Sequence, residues 1–190
     1  MTEQEQAFLK SLQNKIDKYD IKKDGKKLTI RDCLPYARNK FVKAHYNDGT
    51  PDEIIDLGIE TFLYRQSPLL FLEKYAIFEL PGVGTLSCKK LYYFQKEILK
   101  DFNNWKKVVL TKTRQAGIST LMSLIFFWKA VLFPNEWLVV ISKDGKSSQD
   151  FLEKIKANLD NIPEWFGLQI TKNNVKGVAF SNKTKIDTFA

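Results

Sequence analysis

Lys106-Lys107-Val108-Val109-Leu110-Thr111-Lys112-Thr113-Arg114-Gln115-Ala116-Gly117-Ile118-Ser119-Thr120 is the stretch that decides the fold. It reads as a short apolar strand over 108–110, a polar loop with one glycine, and Ser-Thr opening a strongly apolar helix. A strand, a tight loop and a helix N-terminus make a phosphate cradle, because loop amides and the helix dipole put partial positive charge at its mouth. The regular form of such a loop, Gly-x-x-x-x-Gly-Lys-Ser/Thr, would place glycine at 112 and lysine at 118. Here Lys112 and Ile118 stand there, so the lysine sits at the start of the loop.

The residue types fit the task. Gly117 lets the backbone approach a phosphate where a side chain would collide. Ser119 holds the position whose hydroxyl ligands Mg²⁺ between the β- and γ-phosphates. Lys112 is within reach of folding over the loop, and Arg114 offers a planar, permanently charged fork for a γ-phosphate or a neighbouring subunit. The competing reading of 113–118 is an ordinary βα turn with Lys112 and Arg114 solvated. Upstream, Gln95 lies in Leu91-Tyr92-Tyr93-Phe94-Gln95. Its coplanar donor and acceptor suit the N6/N7 edge of adenine, and the adjoining aromatic rings suit base stacking; taken alone, Gln95 reads as a surface helix residue.

Working outward, the apolar run after Ser119 ends at Phe133-Pro134-Asn135, and Trp137–Ile141 reads as a second fully apolar strand. Phe151, Leu152, Ile155 and Leu159 give an amphipathic helix before Pro163. Alternating apolar strands and helices predict an α/β fold with a parallel sheet covered on both faces. Residues 177–180 and 184–187 around Asn182-Lys183 predict a hairpin. Phe94, Ile98 and Phe102 line one side of the helix read over 91–102.

The first 66 residues read as a helical region. Phe8, Leu12, Ile16 and Tyr19 share a face behind a Thr2/Glu5 capping box. Gly25 marks an exposed lysine-rich turn. A helix with Pro35 in its first turn carries Leu34, Ala37 and Phe41, and one opened by Thr50-Pro51 carries Ile55, Ile59, Phe62 and Leu63. From Ser67 a short helix runs through Phe71, Leu72 and Tyr75, and Pro81-Gly82-Val83-Gly84 makes a turn. The predicted division is therefore 1–66 and 67–190.

At 190 residues, 44% hydrophobic and 13% aromatic, the chain has the material for a sizeable core. Its formal net charge of +8 suits a polyanionic partner. No acidic residue lies between Asp101 and Glu136 or between Trp165 and Ile186, while the second stretch carries Lys172, Lys176, Lys183 and Lys185; a solvated basic face is the competing reading there. Two cysteines without metal or redox spacing and a single histidine argue against a zinc site and for reduced core thiols. The acidic, polar N-terminus carries no secretory signal, and the longest apolar run is broken by Lys129 and too short to span a bilayer.

Taken in order, these pieces resemble the ATPase domain of the large terminase subunit, the DNA-packaging motor of tailed bacteriophages. Residues 68–75 look like that family's lead-in helix, 91–95 like its adenine-recognising Q motif, and Lys112 to Thr120 like its deviant Walker A. Residues 139–143 with the following helix resemble its next strand-helix step, and 180–186 its hairpin before Walker B. The resemblance implies a P-loop fold of the RecA-like class that binds ATP and Mg²⁺. Gln95 would read adenine, and Lys112, Thr113, Arg114, Gln115, Ala116, Gly117, Ile118, Ser119 and Thr120 would form the loop on the phosphates. Ser119 would hold the metal, and Arg114 would sense the γ-phosphate and couple hydrolysis to DNA movement. It further implies double-stranded viral DNA, a portal protein and a small terminase subunit as partners, a homo-oligomeric ring, and work on the procapsid in the host cytoplasm. The family's apolar strand ending in Asp-Glu is not found, nor its coupling motif or carboxylate-rich nuclease domain. The chain is thus expected to be an N-terminal part of a longer protein. A helicase-like ATPase, which calls for an Asp-Glu-x-His-like box and a second lobe, and a non-catalytic nucleic-acid-binding protein are the alternatives.

Overall fold

The computed structural model describes residues 3–33, 51–80, 82–104 and 107–190. The chain divides into two compact units, Met1–Leu70 with Lys96–Val108, and Phe71–Gln95 with Val109–Ala190.

In the first unit, α1 (Glu3–Lys18) buries Leu12 and Ile16, the predicted stripe. Strands β1 (Lys22–Lys23) and β2 (Lys26–Lys27) form a two-residue hairpin. Its central pair, Asp24 and Gly25, both have positive φ, which fits the right-handed strand twist. A short α2 (Ile30–Cys33) follows, and α3 (Pro51–Gln66) starts at the proline that needs no donor there. Ile59, Phe62 and Leu63 are buried as the apolar spacing predicts. Lys15 on α1 pairs with Glu60 on α3 at 2.6 Å, and Tyr64 donates to the other carboxylate oxygen at 2.7 Å. The Thr2 cap, the helix expected around Pro35, the Thr50 cap and the side chains of Phe8 and Ile55 lie outside the described residues. Cys33 is buried with its thiol pushed up to about 11, chiefly by burial and then by Asp32, as befits a reduced core residue.

Helix α4 (Pro68–Tyr75) opens behind Ser67, whose Oγ accepts the Leu70 amide. Strands β3 (Ile77–Leu80) and β4 (Gly84–Ser87) pair antiparallel across the expected turn. Next comes α5 (Tyr93–Asp101), then α6 (Ile118–Leu132), β5 (Trp137–Ile141), α7 (Gly145–Lys156), β6 (Ile170–Asn174), β7 (Gly177–Phe180) and β8 (Lys185–Phe189). Helix α6 is buried on most sides, from Leu121 through Leu132, and the second unit's core gathers an aromatic cluster in which Phe71 meets both Phe127 and Phe166 at 5.6 and 6.0 Å between ring centroids. Among the described residues, no helix is long and apolar enough to cross a membrane.

The sheet has the order β5-β8-β7-β6, with β5 and β8 parallel and the other pairs antiparallel. The predicted hairpin over 177–187 is present as β7 and β8. Asn182 fixes its turn by donating to the Ala130 carbonyl and accepting the Thr184 amide, while Thr184 donates to Phe133 at the end of α6.

Three expectations change. Residues 108–110 are not a strand, and Val109 is 94% exposed; an apolar triplet becomes a strand only against a ladder partner, and no described strand pairs with it. The sheet is mixed and buried on one face only. Val178, Phe180 and Ile186 lie inside, whereas Trp137, Val139, Ile141 and Phe189 on the opposite face are exposed. Finally, α5 buries Gln95 and Leu99, whereas Phe94, on the apolar side read from the sequence, is exposed.

Candidate phosphate-binding site

The loop before α6 is shaped by two left-handed residues, Gln115 at φ 64° and Gly117 at φ 70°. Glycine takes that conformation freely, and glutamine takes it at a cost of roughly 1 kcal/mol. Together they bend the backbone sharply just where α6 begins, with Gly117 as N-cap. Glycine has no side chain with which to cap, and among the described residues no side chain satisfies the first amides of this fifteen-residue helix. They face the loop with the positive end of the dipole behind them.

The other long helix that follows a described strand or loop of this unit, α7, is built differently. Asp144 is its N-cap, and its Oδ1 accepts the Ser147 amide at 2.7 Å. Those hydrogen bonds from Ser147, with help from Lys143, hold the Asp144 carboxyl below its ordinary range. One helix N-terminus is therefore occupied by its own carboxylate, and the other is open to an outside anion. The Asp144-x-x-Ser147 spacing is the signal in the sequence that would have separated them.

Lys112 and Arg114 are exposed, and neither forms an ion pair or hydrogen bond among the described residues. Two cations without carboxylate partners thus stand on the loop that leads into the open helix terminus. Ser119 is exposed in the first turn with its hydroxyl unengaged. It borders a cleft of about 360 Å³ shared by Ile118, Met122, Ser142, Ser147 and Lys154. That cleft lies at the carboxyl end of β5, the end at which α/β sheets hold ligands. Ser142, Ser147 and Lys154 were not anticipated as lining residues, because nothing local in the sequence ties them to residue 119.

Gln95 is not the surface helix residue that it resembles when taken alone. It is only 4% exposed. Its Oε1 accepts the Tyr92 amide at 3.0 Å, and its Nε2 donates to the Ala116 carbonyl at 3.2 Å. The first contact is a capping box for α5, with glutamine at the third helical position reaching back to the residue before the helix. The second ties that helix to the loop. Tyr92 and Phe94 are exposed and lie parallel, 5.9 Å apart and 8° from coplanar.

No protein-family model matches the sequence, and no curated protein matches it. Among the described residues, no three His, Cys, Asp or Glu side chains converge into a metal-binding group.

Proposed function

We propose that this chain binds the triphosphate of ATP at the loop 112–120 and serves as the nucleotide-binding part of a DNA-packaging motor of the large terminase type. The observation that carries the reading is the uncapped N-terminus of α6 behind a loop with left-handed residues at 115 and 117 and two unpaired cations. An uncapped terminus leaves polar groups seeking an acceptor, and a phosphate supplies several at once. Lys112 neutralises the β- and γ-phosphates from the start of the loop, and Arg114 takes the γ-phosphate through its planar fork. Ser119 Oγ is the group of this chain that would hold Mg²⁺, which when bound would offset negative charge on the phosphates. The packaging role rests on the order of the motifs along the chain and on the basic stretches that suit DNA.

The test is equilibrium binding of ATP by the full chain and by Lys112→Ala. Wild-type protein is expected to bind, and Lys112→Ala to lose most of that affinity. Unchanged affinity in the variant would remove the lysine from the site, and no binding by the wild type would leave the loop as a plain turn between α5 and α6.

A further inference from the structure

We propose that Gln95 is a positioning residue for the phosphate loop, strapping Ala116 so that the amides of 117–119 stay aimed at phosphate, and that the identity of the base is not what it reads. The inference rests on the phosphate-site reading above. It reassigns the one residue of that site whose sequence context points to adenine.

Geometry supports the strap. A primary amide recognises an adenine edge by presenting its donor and its acceptor together in one plane to the base. In Gln95 both groups are turned to backbone, Oε1 to Tyr92 and Nε2 to Ala116, and the side chain is buried. Each group keeps one spare site, an N–H and a lone pair, but the side chain is 4% exposed, so a base reaches them only if the amide moves out and gives up at least one of these bonds. The opposite side of the contact is equally specific. A Cβ on residue 117 would come within 2.7 Å of Gln95 Nε2, so the amide packs directly on the glycine that turns the loop into α6. Its two bonds join a residue before α5 to a residue of the loop. Holding Ala116 fixes the residue between the two left-handed positions, whose relaxation would otherwise swing the open amides away from a common focus. The exposed parallel rings of Tyr92 and Phe94, not the buried amide, are then the surface left for a base.

The decisive probe carries phosphates and no base: inorganic tripolyphosphate, titrated into the full chain alongside ATP and GTP. Two variants separate the contacts. Gln95→Glu can still accept from Tyr92 and cannot donate to Ala116, while Gln95→Met keeps the length, adds no charge and loses both bonds. Strapping predicts that both variants bind tripolyphosphate about three- to tenfold more weakly, lose ATP and GTP affinity by the same factor, and exchange the Leu121 amide hydrogen, which is bonded to the Gly117 carbonyl, faster without ligand. An intact far-ultraviolet spectrum and a cooperative melt, with a midpoint that is lowered but stays above the titration temperature, accompany the expected result, which separates it from loss of fold. Retained tripolyphosphate affinity with a collapsed preference for ATP over GTP would overturn the inference and make Gln95 a base reader. Failure of the wild-type chain to bind tripolyphosphate or any nucleotide would instead strike the phosphate-site reading itself.

Discussion

Gln95 Nε2 stands 2.7 Å from the point that a Cβ on Gly117 would occupy. Real Cβ atoms do not approach a nitrogen so closely, and residue 117 also has φ +70°, where an L side chain is strained by about 1 kcal/mol. Gly117→Ala is therefore expected to displace the glutamine or unwind the first turn of α6. Either change opens the cradle. The expected outcome is at least a tenfold loss of ATP and tripolyphosphate affinity with a modest fall in the thermal midpoint, read by calorimetric titration and a circular dichroism melt. Wild-type affinity in this variant would show that the close packing is not needed.

Ser119 separates metal-dependent from metal-independent affinity. Its hydroxyl is exposed and makes no hydrogen bond among the described residues, so removing it disturbs little of the fold. Ser119→Ala is expected to bind ATP like the wild type in chelator, where only amides and cations act, and to gain much less from added Mg²⁺. Paired titrations with Mg²⁺ and with chelator check this. An equal gain in both proteins would place the metal away from residue 119.

How far these features were legible in the sequence follows from how local they are. Helix α6 announces itself through an unbroken apolar run ended by Phe133-Pro134, and the β7–β8 hairpin through the polar pair at its turn. Residues 108–110 carry the same β-branched signal as Trp137–Ile141, yet only the latter finds a partner strand, in β8. Composition does not encode a ladder partner. The same limit applies to Gln95. Its hydrogen-bonding capacity is plain from its chemistry, but the carbonyl that takes its donor lies twenty-one residues away in the loop.

Asp144 gives a pH-dependent test of the second helix terminus. Its hydrogen bonds from Ser147 hold its folded pKa below the model-peptide value of 3.8. A carboxyl depressed on folding contributes stability above its unfolded pKa and loses it as pH falls through the folded one. Asp144→Ala is thus expected to lower the unfolding midpoint at pH 7, with the gap to wild type narrowing below about pH 3.8 and closing at still lower pH. Melts from pH 7 to pH 2.5 follow it. A gap independent of pH would mean that the cap acts through shape and not through charge.

Asn158 carries the last prediction, and it concerns how the second unit holds its β3–β4 hairpin. The side chain is 2% exposed, accepts the Ile77 amide at 2.7 Å, and donates to the Lys154 carbonyl at 2.9 Å. It joins the end of α7 to the first residue of β3 through two half-buried bonds. Asn158→Leu fills similar volume and supplies neither bond, leaving an amide and a carbonyl without these partners. A fully buried orphan costs about 1–3 kcal/mol and a half-buried one less, so the pair together costs on the order of 1–3 kcal/mol, a large share of the stability of a domain this size. Chemical denaturation should therefore show a loss of that order. Hydrogen exchange supplies the sharper readout, because the Ile77 amide should lose protection while amides within α6 keep theirs relative to global unfolding. Loss of protection spread evenly over the unit, with Ile77 no worse than the rest, would mean that Asn158 supports the core in general and does not anchor the hairpin.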